Sequence, residues 1–247
     1  MSVRVLFLGS HLRSFHCFRY LLQNVPEAHV VAIAPHRRQP PIRPDQDVRM
    51  LAEHYGIPVI EHDAIKDQDY DLGISLLYDR ILPPEIVDYP QRGFVNIHMA
   101  PLPRFRGANG VMHAIRLARQ DNVWEFGVTM HYVDHGLDTG PIIEMLPVPI
   151  FEDDTAYDLH TRASGRILEL FTRNIHRLIE ADGRIPAQPQ DPEAVSYYFR
   201  RRDVISEIDI TRDPQQIYDE VRAMTFPGKR KPTFHIGDKR FYISIEE

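Results

Sequence analysis

A chain of 247 residues suits one large domain, or one domain with a small appendage, and can bury a core without disulfide or metal support. Its 29 Lys and Arg residues against 35 Asp and Glu residues give a formal net charge of −6, which argues against a broad nucleic-acid-binding surface. The single cysteine, Cys17, excludes an internal disulfide bond, and its apolar helical surroundings predict a buried, unreactive thiol in a reducing compartment.

Targeting and membrane segments are not evident in the sequence. The apolar run at 3–8 is too short for a signal peptide and leads directly into a polar loop. No apolar run approaches the length that a membrane-spanning helix needs. We therefore expect a cytoplasmic protein with neither a membrane nor a nucleic acid as partner.

The first two thirds of the chain alternate predicted strands with predicted helices. Apolar runs predict strands at 3–8, 29–33, 58–60, 72–77, 94–98, 127–133 and 141–148. Helical spacing predicts helices at 15–23, 45–55 and 110–119, a short one after Pro84, and a proline-broken loop at 39–43. This order is typical of an α/β fold with a doubly wound, mostly parallel, Rossmann-like sheet. Such sheets bind ligands at the carboxyl ends of their strands, and we expect the loops after residues 77, 98 and 133 to gather at that edge or near it.

The remaining third begins with the longest predicted helix, 155–181, which opens with a capping box formed by Thr155 and Asp158. Proline density rises after Gly183, so we place a domain boundary between 185 and 186. Residues 186–247 are predicted to form a small α+β appendage with a helix at 214–224 and a final β-hairpin, 233–236 and 240–245. The exposed edge of that hairpin predicts a homodimer.

Two polar residues, Asn96 and His98, end a predicted strand. Alternate residues of a strand share a face, so both side chains point the same way. A carboxamide and a neutral imidazole aimed at one spot can serve as an oxyanion donor beside a base or proton shuttle. Taken alone, residues of these types at a strand end are more often turn and hydrogen-bonding residues.

The loop 134–140 carries two carboxylates and two glycines between predicted strands. One interpretation is a catalytic carboxylate held against His98; the alternative is an ordinary turn, because Asp and Gly favour turns for local reasons. The loop lacks the alternating oxygen ligands of a calcium loop, and we predict no metal site.

The segment 101–109 (PLPRFRGAN) is too long and too proline-rich for a simple connection. Arg104, Arg106 and Asn109 follow the predicted base closely and could hold an anionic or sugar substrate. The alternative is a solvated loop that the prolines merely stiffen.

In order and spacing, these features resemble the folate-dependent formyltransferases. The motifs are Asn-Ile-His at 96–98, Leu-Pro-Arg-Phe-Arg-Gly at 102–107, Gly-Val-Thr at 127–129 and Leu-Asp-Thr-Gly-Pro-Ile at 137–142. The resemblance implies that Asn96, His98 and Asp138 form the catalytic centre, whereas Asp134 does not match the catalytic position. Met99-Ala100 departs from the Pro-Ser pair that is frequent in the family, which changes loop detail but not the catalytic residues.

The resemblance also implies 10-formyltetrahydrofolate as co-substrate and a pocket for it. The segment 77–83 looks like the family segment whose backbone grips the pteridine ring, and the loop 134–138 would close the other side. The candidate folate-binding residues are Tyr78, Asp79, Arg80, Ile81, Leu82, Asp134 and His135. Ile81 and Leu82 also fit as plain core residues.

The implied chemistry is attack of a neutral amine on the formyl carbon. Asn96 would donate a hydrogen bond to the developing oxyanion, and His98 would take or relay the amine proton. Asp138 would orient His98 and balance its charge. Neither a metal ion nor a covalent enzyme intermediate is implied.

The acceptor is inferred from the rest of the chain. The loop after Gly9 lacks the glycine-rich phosphate loop of the purine-pathway members, and the short tail and acidic balance are unlike the tRNA-formylating members. The tail, with 197–203 and 223–228, looks most like the sugar N-formyltransferases, which act on nucleotide-linked 4-amino-4,6-dideoxyhexoses. That resemblance implies a dTDP- or GDP-linked substrate for surface polysaccharide such as O-antigen, contacted by Arg104, Arg106, Asn109 and Tyr197. The alternatives are a methionyl-tRNA formyltransferase-like enzyme and a non-catalytic folate- or nucleotide-binding protein.

Overall fold

The computed structural model describes residues 2–9, 12–35, 46–78, 80–199 and 207–245, which fall into two compact units. The first unit contains 1–98, 129–145 and 166–190; the second contains 99–128, 146–165 and 191–247. The predicted loop 39–43, the folate candidate Asp79 and positions 200–203 of the tail lie outside the described residues. The boundary between 185 and 186 stays a prediction.

Strands and helices alternate along the first part of the chain. The strands are β1 (Val3–Leu8), β2 (Ala28–Ala34), β3 (Leu72–Leu76), β4 (Phe94–His98), β5 (Arg106–Gly107), β6 (Glu125–Tyr132), β7 (Ile142–Pro149), β8 (Tyr197–Tyr198), β9 (Thr233–Ile236) and β10 (Lys239–Tyr242). The α-helices are α1 (Leu12–Asn24), α2 (Val48–His54), α3 (Pro84–Val87), α4 (Gly110–Asp121), α5 (Ala156–Glu180) and α6 (Pro214–Met224). None of these described helices is both long and apolar enough to cross a membrane.

Six strands form the central sheet, in the order β2-β1-β3-β4-β6-β7. The pairs β1–β2, β1–β3 and β3–β4 are parallel, whereas β4–β6 is antiparallel. The prediction of a mostly parallel α/β sheet is therefore confirmed. The predicted strand 58–60 is reduced to a single bridge between Val59 and Ile33.

The core of the first unit combines apolar residues of β1, β2 and β4 with apolar residues of α3 and of the chain between the strands. Its buried members are Leu6, Leu8, Ala32, Ala34, Ile65, Tyr70, Leu82, Ile86, Val87 and Phe94. Truncating a fully buried leucine of this kind to alanine costs about 2–5 kcal/mol, so this cluster holds the strands that carry the candidate site. Cys17 is fully buried on α1, as predicted, and burial raises the pKa of its thiol.

The long helix α5 begins with the predicted capping box. The Thr155 N–H donates to the Asp158 carboxylate at 2.9 Å, and the Asp158 N–H donates to the Thr155 hydroxyl at 3.3 Å. Two N–H groups at the start of the helix are thereby satisfied, which is typically worth about 1 kcal/mol.

In the second unit α4 packs against α6, and α6 carries a fully buried arginine, Arg222. The Arg222 guanidinium donates to Asp219 at 2.8 Å and to the carbonyl of Ile115 at 3.1 Å, so its charge is paired and its donors are engaged. The hairpin β9–β10 turns through Gly237-Asp238 alone. The sequence predicted that the second strand starts at 240, but Lys239 already pairs with Ile236.

Candidate active site

Asn96 and His98 lie on β4, and β6 runs beside it. His131 pairs with Asn96, and Thr129 pairs with His98, so these four side chains share one face of the sheet. His131 and Thr129 are almost completely buried, whereas Asn96 and His98 are half-buried. On this polar face Asn96 and His98 are therefore the more accessible pair, and His131 and Thr129 are the buried pair.

The hydrogen bonds of His131 define its tautomer. Its Nδ1 lies 2.8 Å from the carbonyl oxygen of Tyr132, which can only accept, so Nδ1 carries the proton. Nε2 of the neutral ring is then an acceptor, and it lies 3.1 Å from Nδ2 of Asn96. Asn96 consequently donates one amide hydrogen to His131, which fixes the orientation of its carboxamide.

Burial also favours the neutral form of His131. Desolvation by burial, aided by the neighbouring His98, lowers the pKa of this imidazole to about 4 against the opposing attraction of Asp138. At neutral pH His131 is therefore an uncharged acceptor. The sequence did not single out this residue. Thr129 and His131 alternate with apolar residues in β6, and this alternation indicates that both side chains lie on the same face of the sheet.

Asp138 completes the cluster. Its carboxylate lies 3.6 Å from Nδ1 of His98 and 3.9 Å from Nε2 of His131. The His98 and Asp138 side chains are 14% and 13% exposed, so their attraction is less screened than at the surface. The structure thus brings together Asn96, His98 and Asp138, the three residues proposed from the sequence.

The loop that carries Asp138 takes an unexpected route. Because β6 is antiparallel to β4, the chain leaves β6 beside Phe94, at the end of β4 opposite His98. The loop after 133 therefore starts away from the carboxyl end of β4, and it reaches the expected edge only through Asp138. The loop folds back along the sheet instead: the Tyr132 N–H donates to the Pro141 carbonyl at 2.9 Å, and Asp138 adopts a left-handed φ of 54°.

Asp134 stabilises this loop internally. Its carboxylate accepts hydrogen bonds from the Gly136 N–H and from the Thr139 hydroxyl. The neighbouring His135 is exposed, and its Nε2 lies 2.9 Å from the Asp88 carboxylate at the end of α3. This contact ties the loop 134–138 to the C-terminal end of α3, the helix that follows the other proposed folate segment, within the first unit.

The segment after β3 contains the other candidate folate residues. Arg80, Ile81 and Leu82 make no backbone hydrogen bonds to other described residues, so their N–H and C=O groups are available. Ile81 is 83% exposed, whereas Leu82 lies in the core. Tyr78 stacks on His62, and its hydroxyl lies 2.9 Å from that imidazole.

The four predicted substrate-binding residues belong to the second unit. Arg106 is 7% exposed; it donates to the Tyr197 hydroxyl at 2.6 Å and lies over that ring. Arg104 is paired with Asp121 and lies over Phe105. Asn109 is exposed at the start of α4 and forms no side-chain cap. The alternative interpretation of this segment as a solvated loop is therefore wrong for Arg106.

Comparison with known proteins connects this geometry to a family. The formyl transferase family model matches residues 59–173. The methionyl-tRNA formyltransferase of Citrifermentans bemidjiense is 31% identical over 241 residues, which are 92% of this chain and 73% of that protein. That of Janthinobacterium sp. is 32% identical over 189 residues, 76% of this chain, and the chain spans 58% of its length.

A solved structure extends the similarity beyond the sheet. The N-formyltransferase of Helicobacter canadensis, in complex with folinic acid and dTDP-3-aminofucose, superimposes with a TM-score of 0.79 at 25% identity, over 95% of this chain and 84% of that chain. The Asn-x-His strand, the Leu-Asp-Thr-Gly loop and this similarity agree. The chain belongs to the formyltransferase family.

Proposed function

We propose that this protein transfers a formyl group from 10-formyltetrahydrofolate to the amino group of a dTDP- or GDP-linked 4-amino-4,6-dideoxyhexose, for surface polysaccharide synthesis such as that of O-antigen. The observation that carries the proposal is the convergence of Asn96, His98 and Asp138 on one face of the sheet. The 4-amino position rests on the sequence resemblance, and the similarity to a structure with a bound dTDP-amino sugar supports the acceptor class.

The residues present fit a folate. The backbone groups of Arg80, Ile81 and Leu82, which make no backbone hydrogen bonds to other described residues, would pair with donors and acceptors of the pteridine ring, and the exposed Ile81 side chain offers an apolar surface to it. Tyr78, Asp79, Asp134 and His135 complete the proposed folate set. When bound, the folate supplies the formyl carbon.

His98 is proposed as the proton carrier. Transfer forms a bond between the acceptor nitrogen and the formyl carbon, and breaks the bond from that carbon to the folate nitrogen. The amine must lose a proton and the departing nitrogen must gain one. An imidazole that accepts the proton from the amine and donates it to the departing nitrogen balances the reaction. The Asp138 carboxylate, 3.6 Å away, stabilises the imidazolium that exists between these transfers.

Asn96 is proposed as the oxyanion donor. One hydrogen of its Nδ2 is engaged by His131, and the second makes no hydrogen bond to other described residues. That hydrogen can meet the formyl oxygen as negative charge develops on it. Loss of such a donor costs about 10²–10³ in rate in well-studied enzymes.

Arg104, Arg106, Asn109 and Tyr197 are proposed to contact the acceptor. The Tyr197 ring is 41% exposed and is held by the buried Arg106, so it offers a fixed aromatic face. A net charge of −6 disfavours a long polyanion as acceptor. Methionyl-tRNA formylation is nevertheless the second candidate, because the curated relatives described above carry that name.

The test is an acceptor panel with 10-formyltetrahydrofolate, in which tetrahydrofolate release is followed by absorbance. The acceptors are dTDP- and GDP-linked 4-amino-4,6-dideoxyhexoses, a dTDP-linked 3-amino sugar and charged initiator tRNA. We expect amine-dependent turnover with one of the 4-amino sugars. Turnover with the 3-amino sugar alone would reassign the acceptor, and turnover with the tRNA alone would replace the proposal. Folate binding without turnover would indicate a non-catalytic protein.

A further inference from the structure

A glutamine outside all the motifs contacts the loop that carries Asp138. Nε2 of Gln190 lies 2.8 Å from the carbonyl oxygen of Asp138 and 2.7 Å from that of Gly140. A carboxamide nitrogen has two hydrogens, so one side chain can donate to both carbonyls at once. Both contacts lie within the first unit.

The backbone beside Gln190 is itself anchored. The N–H of Ile142 donates to the carbonyl of Gln188 at 2.7 Å, and the N–H of Gln188 donates back to the carbonyl of Ile142 at the same distance. The half-buried Gln190 side chain therefore extends from a segment that is paired to the start of β7. The Gln190 side chain thus connects the segment paired with β7 to the loop that carries Asp138.

The loop needs such a support at Asp138. This residue has a left-handed φ of 54°, which is unfavourable for a residue with a Cβ and persists only where the surroundings impose it. The two carbonyls that Gln190 engages belong to the 138–139 and 140–141 peptide groups, so the clamp holds the backbone directly after Asp138 at two points. The direction of the Asp138 side chain toward His98 follows from that backbone conformation.

We propose that Gln190 is a positioning residue that holds the Asp138 carboxylate against His98. The inference rests on the proposed formyl transfer, because that reaction gives Asp138 its role. Because Gln190 acts through the backbone carbonyls of the loop, its loss should lower kcat while the KM for the acceptor stays the same. A displacement of about 1 Å in a catalytic group can cost up to about 10²-fold in rate, and we expect a 10- to 100-fold loss of kcat.

The test uses Gln190→Met, which has nearly the same shape, carries no charge and lacks both donors. Gln188→Met is the matched control, since Gln188 is exposed and joins the pairing with Ile142 through its backbone alone. The wild type, both single variants, Asp138→Ala and Asp138→Ala/Gln190→Met are compared. Residues acting through one another give non-additive effects in such a cycle.

We expect Gln190→Met to lose activity and Gln188→Met to retain it. In the Asp138→Ala background, Gln190→Met should cause no further loss of kcat. A further loss of 10-fold or more there would show that Gln190 acts independently of Asp138 and would overturn the proposal, as would an unchanged kcat in the single variant.

A second readout does not depend on turnover. Amide hydrogen exchange of a peptide covering 133–141 should quicken in Gln190→Met and stay at the wild-type rate in Gln188→Met. If the wild type transfers no formyl group but the exchange result holds, the proposed function fails while the clamp stands. Unchanged exchange in Gln190→Met would overturn the clamp itself.

Discussion

At the scale of single residues, the site depends on a histidine that stays neutral. His131 is 2% exposed, its Nδ1 proton is committed to the Tyr132 carbonyl, and its Nε2 accepts from Asn96. Protonation of Nε2 would turn this acceptor into a donor facing an amide nitrogen. The orientation of Asn96, and with it the proposed oxyanion contact, therefore depends on an uncharged imidazole.

This dependence predicts a pH effect on stability. The pKa of His131 is lowered to about 4 in the fold, against 6.5 for the ordinary imidazole, so the unfolded chain binds more protons between these values. The stabilisation is complete above about pH 6.5 and is lost as the pH falls toward 4. Between pH 7 and pH 5 the wild type should lose about 2 kcal/mol of unfolding free energy from this group.

Urea unfolding of the wild type, His131→Gln and His29→Gln at both pH values measures the effect. His29 is exposed on β2 and serves as the control. The loss should persist in His29→Gln and shrink in His131→Gln, whatever the absolute stability of that variant. An equal pH dependence in all three proteins would rule out His131 as the origin.

Asn96 and His98 were predictable from the sequence, because strand alternation alone puts them on one face. His131 was not, because its role depends on the pairing of β4 with β6. That pairing is antiparallel and brings residues 35 positions apart into contact, which local periodicity does not encode.

At the scale of elements, the returning loop 134–140 is the critical piece. A Cβ added at Gly140 would lie 1.8 Å from the carbonyl oxygen of Tyr132, far inside van der Waals contact. The close approach lets the loop turn back toward His98, so a side chain at this position must displace it.

Gly140→Ala should therefore lower kcat roughly 100-fold, because Asp138 moves with the loop. Gly165→Ala is the matched control, since a Cβ on that helical glycine would meet nothing within 4 Å. The control should keep full activity and gain up to about 1 kcal/mol of stability from better helix propensity. Wild-type turnover in Gly140→Ala would contradict the account of the loop.

The regular elements were largely predictable, and α6 was predicted to the residue. The short pair β5–β8 was missed, because two-residue strands at 106–107 and 197–198 have no periodicity to detect. The direction of β6 was missed for a related reason, since apolar alternation reports burial and not orientation.

At the scale of the whole molecule, the C-terminal hairpin suggests an assembly. Among the described residues β10 pairs with β9 alone, and its other edge is open. Its side chains are exposed, including Phe241 at 40% and Tyr242 at 67%. An open edge with exposed aromatic residues favours pairing with a second copy of the chain.

Light scattering after gel filtration should accordingly give twice the chain mass of 28.8 kDa. Tyr242→Asp should shift the protein toward the monomer, because it places a charge at the proposed interface. Tyr55→Asp, at an exposed tyrosine of the first unit, should leave the mass unchanged. A wild type that elutes at the chain mass would refute the homodimer.

The most direct test of the central claim is the rate of formyl transfer in variants of the three convergent residues. Asn96→Ala, His98→Ala and Asp138→Ala are compared with the wild type and with His54→Ala, a control at an exposed histidine of α2. With the best acceptor of the panel, each of the three variants should fold normally and lose at least about 10²-fold in kcat, while His54→Ala keeps the wild-type rate. A wild-type rate in any one of the three would remove that residue from the catalytic centre. Wild-type rates in all three would place formyl transfer elsewhere in the chain.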